Sequence, residues 1–225
     1  MPEPPAATQW IEARSGLFRV YSPSYSLPFP DRLQHVDGVD PLHLASLSGF
    51  MARASGLPVT QYSVTVPSYV DHDAETLAGS PDVGLLGLLN VKFVASEFPI
   101  NVTGLKLVKT FGQTYIYQND FVRPRAWIEG QGSAEVSFWS PNRIEVQADG
   151  EGLLVLSEVA YPGWVCWVDG KRAAIQTVYG LLRGVQLPEG SHGVVFAYRP
   201  WPVYVGGALT LLGLIAFAGI WRWSK

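Results

Sequence analysis

The chain has 225 residues, of which 48% are hydrophobic and 16% are charged, so a highly charged unfolded protein is excluded and one or two packed domains are expected. The formal charge of −3 is too balanced for electrostatic binding of nucleic acid, which is therefore not expected as a partner. The single cysteine, Cys166, excludes an intramolecular disulfide and a zinc site built on several thiolates.

The start of the chain is predicted to be a linker followed by a strand and a helix. Residues 1–12 contain three prolines without hydrophobic periodicity and are interpreted as a linker. Residues 17–21 alternate apolar and polar side chains as a strand does. The next helix is predicted to have Asp40 as its N-cap and Pro41 at its first position, and to end at Gly56.

A second helix and three further strands complete this part of the chain. Residues 81–89 have helical periodicity after Ser80, which suits an N-cap, and residues 91–95 follow as a strand. Residues 105–110 and 114–117 flank a short turn and predict a β-hairpin. Residues 13–118 are therefore assigned to a small α+β domain.

Residues 119–200 lack a helical pattern and are predicted to form an all-β sandwich domain. Asp169-Gly170 predicts a tight hairpin turn, because this dipeptide accepts positive φ angles. In the strand before that turn, Trp164 is expected to face the core and Trp167 to be more exposed, since side chains alternate. The short strand-like runs are 126–128, 134–139, 143–147, 153–158, 164–168, 173–176, 184–187 and 194–198.

A membrane-spanning helix is predicted at residues 201–222, followed by a short tail at 223–225. The stretch 202–221 contains no charged residue and matches the roughly 20 residues that a helix needs to cross a bilayer. Tryptophan residues at both of its ends suit the headgroup regions of a membrane. A buried core helix is the alternative, but that would normally have a polar face. We therefore expect this chain to cross the membrane once, with the lipid bilayer as a partner.

Motifs for catalysis and metal binding are weak. The four histidines lack a spacing that would place two imidazoles on one helix face, so no metal site is predicted. No nucleophile elbow, phosphate-binding loop or dinucleotide-binding motif occurs, so neither a catalytic residue nor a cofactor is predicted. Asp71-His72-Asp73 is the local cluster that would best suit an independent hydrolase, but a solvated loop is the favoured interpretation.

An ordered series of short motifs runs from the α+β unit to the predicted span. In chain order the motifs are Phe18-Arg19-Val20, Asp40-Pro41-Leu42, Leu88-Leu89-Asn90-Val91-Lys92-Phe93-Val94, Arg123-Pro124-Arg125-Ala126-Trp127, Tyr161-Pro162-Gly163-Trp164, Val168-Asp169-Gly170-Lys171, Leu182-Arg183-Gly184-Val185, Leu187-Pro188-Glu189-Gly190-Ser191-His192 and Phe196-Ala197-Tyr198-Arg199-Pro200. The series resembles the C-terminal extracytoplasmic region of the YfhO-like bacterial membrane proteins, over nearly the whole chain.

The resemblance implies a multi-spanning membrane protein related to glycosyltransferases of the GT-C architecture, which use lipid-linked sugar donors. The family's catalytic carboxylates would lie in an N-terminal membrane half that this chain lacks. The expected function is thus a non-catalytic, extracytoplasmic accessory module of such a transferase in the bacterial cell membrane. Its expected partner is a multi-spanning protein or the missing half. The alternative is a free-standing, membrane-anchored module for carbohydrate binding or adhesion.

Five residues are candidates for ligand binding. Arg123, Arg125 and Arg183 carry guanidinium groups, which bind phosphate in bidentate fashion and would suit the pyrophosphate of a lipid-linked donor. Salt bridges at a domain junction are the alternative for the first two. Trp139 and Trp167 are candidate exposed platforms for a glycan.

Overall fold

A computed structural model describes residues 5–22, 27, 33–36, 44–56 and 81–223. The first part of the chain forms the predicted α+β unit, with a five-stranded mixed sheet in the order β2-β1-β3-β5-β4. Its strands are β1 (Arg19–Tyr21), β2 (Gln34–His35), β3 (Val91–Ser96), β4 (Leu105–Phe111) and β5 (Thr114–Asn119), and its helices are α1 (Ala6–Glu12), α2 (Ala45–Ser55) and α3 (Val83–Leu88).

The interpretation of residues 1–12 as a linker is wrong for residues 6–12, which form α1. Ile11 of this helix is completely buried and packs with Val20 and Phe93 on one face of the sheet. The Arg14 guanidinium covers the Trp10 ring at 3.8 Å. Apolar contacts thus hold α1 in place despite the prolines before it, which is why the lack of a long periodic run was misleading.

The ends of α2 and α3 partly follow the prediction. Gly56 ends α2 in the left-handed conformation, as expected, with φ at 73°. The start is later than predicted, because Leu44 has extended backbone angles, and both Asp40 and Pro41 lie outside the described residues. The N-cap of α3 is Asp82, whose carboxylate accepts a hydrogen bond from the Leu85 amide at 2.9 Å. Ser80 lies outside the described residues.

The second part is all-β, as predicted, but its strands form one sheet rather than the two of a sandwich. The predicted runs 126–128 and 134–139 are two parts of one long strand. The runs 143–147 and 153–158 are two parts of a second long strand, and the run 173–176 is divided between two short strands. The strands are β6 (Ala126–Ser140), β7 (Arg143–Val159), β8 (Trp164–Val168), β9 (Lys171–Ala173), β10 (Gln176–Val178), β11 (Leu182–Leu187) and β12 (Ser191–Tyr198). The Asp169-Gly170 hairpin between β8 and β9 is confirmed.

Four glycines form a corner at which this sheet folds over on itself. β6 pairs with β7 along nearly its whole length, whereas on the other edge β12 pairs with the first half of β7 and β11 with the second half. At the corner Gly130 faces Gly152 and Gly132 faces Gly150. Their φ angles lie between 125° and 140°, a conformation that favours glycine. Because the pairing of β6 with β7 continues through the bend, each of these two long strands contains two of the predicted short strands.

The two folded halves of the sheet enclose an apolar interior. Ile144 from one half of β7 and Leu154 from the other belong to the same buried cluster, together with Cys166 and Phe196. Trp164 packs against this cluster and Trp167 points the other way, in agreement with strand alternation. The two halves pack face to face as the two sheets of a β-sandwich do, although both belong to one sheet.

The α+β unit and the folded sheet share a second buried cluster. Phe50, Leu86 and Tyr117 from the first unit pack with Trp127 and Leu182 from the second. The predicted division between residues 118 and 119 therefore separates two sheets but not two hydrophobic cores. As a domain boundary it stays a prediction.

The last element, α4 (Trp201–Trp223), is the predicted apolar helix. Its 23 residues are all exposed in the isolated chain, and it is long and apolar enough to cross a membrane. At 1.5 Å per residue it is about 35 Å long, compared with a bilayer core of about 30 Å. Only Arg199 and Pro200 separate it from β12.

The corner should be intolerant of side chains. A Cβ on Gly132 would lie 2.2 Å from the Asp149 carbonyl oxygen, at a φ of 140°. We predict that Gly132→Ala lowers the free energy of unfolding by about 2 kcal/mol or more, since backbone strain and the clash act together. Chemical denaturation of the full chain in detergent measures this.

Gly49→Ala is the matched control. Gly49 lies in α2, where an added Cβ would meet nothing within 4 Å. Alanine should stabilise this helix by about 0.5–1 kcal/mol, because it has the higher helix propensity. Equal effects of the two substitutions would contradict the role assigned to the corner.

Candidate functional site: an arginine cluster at the junction

Three arginines meet around one carboxylate where the α+β unit joins the folded sheet. We call Arg19, Arg125, Arg183 and Glu158 the arginine cluster. Arg19 comes from β1, Arg125 immediately precedes β6, Arg183 lies on β11 and Glu158 lies near the end of β7. The cluster therefore joins four segments that are far apart in the sequence.

Arg19 connects the two units directly. Its Nη2 pairs with Glu158 Oε2 at 3.0 Å, and its Nη1 donates to the carbonyl oxygens of Ser157, at 2.7 Å, and Leu89, at 3.1 Å. Ser157 donates in turn from its hydroxyl to the Leu88 carbonyl oxygen at 2.8 Å. These bonds satisfy backbone groups at the junction that would otherwise be buried without partners.

Arg125 is the most deeply buried member of the cluster, with a side chain only 2% exposed. Its Nη2 donates to the Gln34 side-chain oxygen, and its Nη1 lies 3.7 Å from Glu158 Oε1. Neither Nε nor Nη1 makes a hydrogen bond. A buried guanidinium with two nitrogen atoms that make no hydrogen bond is costly in an apolar surrounding.

Arg183 stacks on an aromatic ring in the interior of the folded sheet. Its Cζ lies 3.6 Å from the centre of the Trp164 ring, an arrangement that favours a cation. Its Nε donates to the Val159 carbonyl oxygen at 2.9 Å, whereas its buried Nη1 has no hydrogen-bond partner. Trp139, at the far end of β6, donates from its indole N–H to Glu158 Oε1 at 3.3 Å. The fold at the glycine corner brings these distant strand ends together.

The electrostatics of the cluster are dominated by burial. Burial is the largest effect on the pKa of Arg125, which is lowered to about 9, with Arg19 acting in the same direction and Glu158 opposing it. The pKa of Arg183 is lowered to about 10, again mainly by burial. Burial also lowers the pKa of Arg19 despite its ion pair with Glu158. Among the described residues, three guanidiniums thus face one carboxylate.

The cluster contains two of the five predicted binding residues and is contacted by a third. Arg125 and Arg183 belong to it, and Trp139 bonds to its carboxylate. Arg123 is exposed and lies outside it, bound through its backbone to Gly87 and Asn90. Trp167 is half-buried under the Arg199 guanidinium, whose Cζ lies 5.0 Å from the ring centre. Trp139 and Trp167 stay predictions as glycan platforms.

Sequence reasoning missed Arg19 and Glu158 as site residues. Arg19 appeared only as the polar residue of a short alternating strand, and Glu158 as the end of another. Their meeting depends on the pairing of β1 with β3 and on the fold of the sheet at its corner, neither of which a local pattern encodes. The one available signal was the position of Arg19 within a motif of the family resemblance.

Two cavities flank the arginine cluster. One, of about 220 Å³, is lined by Arg125 together with Leu17, Ala134 and Glu135. The other, of about 140 Å³, is lined by Arg19, Ser157 and Glu158 together with Leu47. The cluster is therefore buried on most sides but borders space large enough for a small ligand group.

Other candidate sites in the described ranges carry little chemistry. Burial raises the pKa of the Cys166 thiol to about 12, so this thiol is a poor nucleophile. Within those ranges no group of three or more histidine, cysteine or acidic side chains is placed to hold a metal ion. The sequence cluster Asp71-His72-Asp73 lies outside the described residues.

Comparison of this chain with family profiles, with curated proteins and with solved structures gives no match.

Glu158 should be essential for the stability of the junction. Glu158→Gln removes the negative charge that faces three buried or half-buried guanidiniums. We predict a loss of about 3 kcal/mol in the free energy of unfolding, since breaking a buried ion pair leaves uncompensated charge.

Denaturant titrations of Glu158→Gln, of a control variant and of the wild type measure this change in the free energy of unfolding. Glu145→Gln is the matched control, because Glu145 forms an exposed ion pair with Arg143 at 2.6 Å and should contribute less than about 1 kcal/mol. A Glu158→Gln variant as stable as the control would show that the cluster does not hold the junction together.

Proposed function

We propose that this chain is a membrane-anchored, non-catalytic accessory module, the extracytoplasmic C-terminal part of a YfhO-like transferase that uses a lipid-linked sugar donor. In this role the folded part sits on the outer face of the bacterial cell membrane and caps the active face of a multi-spanning partner. The observation that supports the proposal best is the direct continuation of the folded sheet into the apolar helix α4.

The connection holds one end of the folded sheet against the membrane. From Tyr198, the last residue of β12, to Trp201, the first of α4, the chain advances three residues, which span at most about 11 Å. The Arg199 amide also donates to the Gly163 carbonyl oxygen at 2.6 Å, which fixes the connection to the loop before β8. The folded part is therefore too closely tethered to stand away from the bilayer.

Aromatic side chains are exposed at this same end. Phe138 and Trp139 lie beside the turn between β6 and β7, and Asn142 in this turn accepts a hydrogen bond from the Tyr198 amide. Tyr161 is exposed and its ring lies 6.3 Å from that of Tyr198. Such residues prefer the headgroup region of a bilayer. The opposite end, at the glycine corner, carries Glu129, Glu151 and Glu189 and has the polarity of a surface that faces water.

The membrane-facing end can be tested by fluorescence quenching. Because Cys166 is buried and its pKa is raised, a cysteine introduced at Phe138 should be the thiol that reacts with a bimane dye. In nanodiscs we expect lipids brominated near the headgroup to quench the Phe138→Cys label strongly. The matched label, Gln131→Cys at the glycine corner, should keep its intensity. Equal quenching of both labels would contradict the proposed seating.

The accessory role predicts a multi-spanning partner. The full chain, expressed in its native membrane and solubilised in mild detergent, should co-purify with a protein that has many membrane spans. Replacing residues 201–223 by an unrelated apolar helix should preserve this association if the folded part makes the contact. A monodisperse, partner-free chain would count against the accessory role, and glycan binding by the isolated full chain would then favour the adhesion module.

A further inference from the structure

From the contacts of His192 we infer that its imidazole is a proton-dependent clamp, which holds the loop 188–190 while the ring is protonated and releases it when the proton is lost. The loop connects β11 with β12 and so carries the chain from one half of the folded sheet to the other. It lies at the glycine corner, because the Gly150 amide donates to the Gly190 carbonyl oxygen at 2.9 Å. The clamp goes beyond the accessory role proposed above and does not depend on it.

Both ring nitrogens of His192 lie opposite hydrogen-bond acceptors. Nδ1 lies 2.7 Å from Asp169 Oδ2, and Nε2 lies 3.1 Å from the Pro188 carbonyl oxygen. An ionised carboxylate and a carbonyl oxygen can only accept hydrogen bonds, so the ring must donate from both nitrogens. The protonated imidazolium has two N–H groups, whereas either neutral tautomer has one. The two contacts therefore require the charged ring.

Loss of one proton breaks the contact with the loop. The hydrogen bond from Nδ1 to the Asp169 carboxylate is charge-assisted and is the stronger of the two, so this nitrogen keeps its proton. The Nε2 lone pair then faces the Pro188 carbonyl oxygen without a hydrogen between them. The His192 side chain is only 11% exposed, so water does not readily supply the missing donor.

The turn that carries Asp169 is fixed without the loop. Its Oδ1 accepts a hydrogen bond from the Gly193 amide at 2.9 Å, and the Asp169 amide donates to the Gly193 carbonyl oxygen at 2.9 Å. Both bonds join the turn to β12, and neither involves the loop. Deprotonation of His192 should thus loosen the loop and leave the turn in place.

The pH range of the clamp follows from two shifts of opposite sign. The hydrogen bond between the two side chains is the largest effect on both groups: it raises the pKa of His192 and lowers the pKa of Asp169. The clamp is therefore complete below the ordinary imidazole pKa of 6.5 and is lost as the pH rises through the raised pKa of His192. On the acid side it is lost only when the pH falls through the lowered pKa of Asp169.

Three further charged residues surround the contact. Lys171, at the start of β9, also lowers the pKa of Asp169. Glu189, in the loop, acts on the pKa of the imidazole through its backbone rather than its carboxylate. Asp149, on β7, already accepts a hydrogen bond from a serine hydroxyl at 2.6 Å. Asp169 is thus the carboxylate that pairs with the imidazole, and Glu189 offers a matched control.

The first measurement is an NMR titration of the full chain in detergent with isotope-labelled histidine, in which His192→Gln identifies the signals of His192. We expect His192 to titrate above 6.5. Asp169→Asn should shift this titration to lower pH, because asparagine suits the turn and can accept from Gly193 but carries no charge. Glu189→Gln should shift it far less. A titration at or below 6.5, or equal shifts in the two variants, would overturn the clamp.

The second measurement is amide hydrogen exchange at pH values on either side of that titration, corrected for base catalysis. In the wild type the Gly150 amide, which is bonded to the loop, should lose protection by about threefold or more as the pH rises, whereas the Gly193 amide should keep it. The change at Gly150 should be absent in His192→Gln. Protection of Gly150 that does not depend on pH, or that depends on pH equally in His192→Gln, would contradict release of the loop.

Discussion

The ion pair between Arg19 and Glu158 is the contact on which the arrangement of this molecule depends. It joins the first strand of the α+β unit to the longest strand of the folded sheet, and its carboxylate also attracts the guanidiniums of Arg125 and Arg183. Apolar packing between the units supplies most of the favourable free energy of association, but it is not directional. The charged and hydrogen-bonded contacts fix the orientation, because Arg19 must reach Glu158, Ser157 and Leu89 simultaneously.

The sequence predicted the elements better than their assembly. The hairpin at Asp169-Gly170, the helix stop at Gly56 and the apolar helix α4 follow from local rules on φ angles and hydrophobic length, and all three are confirmed. The single folded sheet was not foreseen. Glycines inside a strand normally indicate a break, and here Gly130, Gly132, Gly150 and Gly152 instead let two long strands bend together.

The sequence indicated the kind of side chain at the candidate site, but it did not indicate all the residues that meet there. Arg125 and Arg183 stood out because guanidinium groups suit phosphate, and both lie in the cluster. Glu158 and Arg19 are 139 residues apart in number and became partners only through tertiary structure, which single-sequence patterns do not contain. Arg123 was predicted as a site residue but is exposed and lies outside the cluster, although it is only two residues from Arg125.

The two-residue connection between β12 and α4 also has a mechanical consequence. Transmembrane helices are tilted by about 20° on average from the bilayer normal, and the tilt responds to the thickness of the surrounding membrane. With only Arg199 and Pro200 between strand and helix, and with the Arg199 amide bonded to Gly163, the folded part cannot pivot freely and must lean with the helix. The thickness of the surrounding membrane would then set the angle at which the folded part stands on the lipid surface.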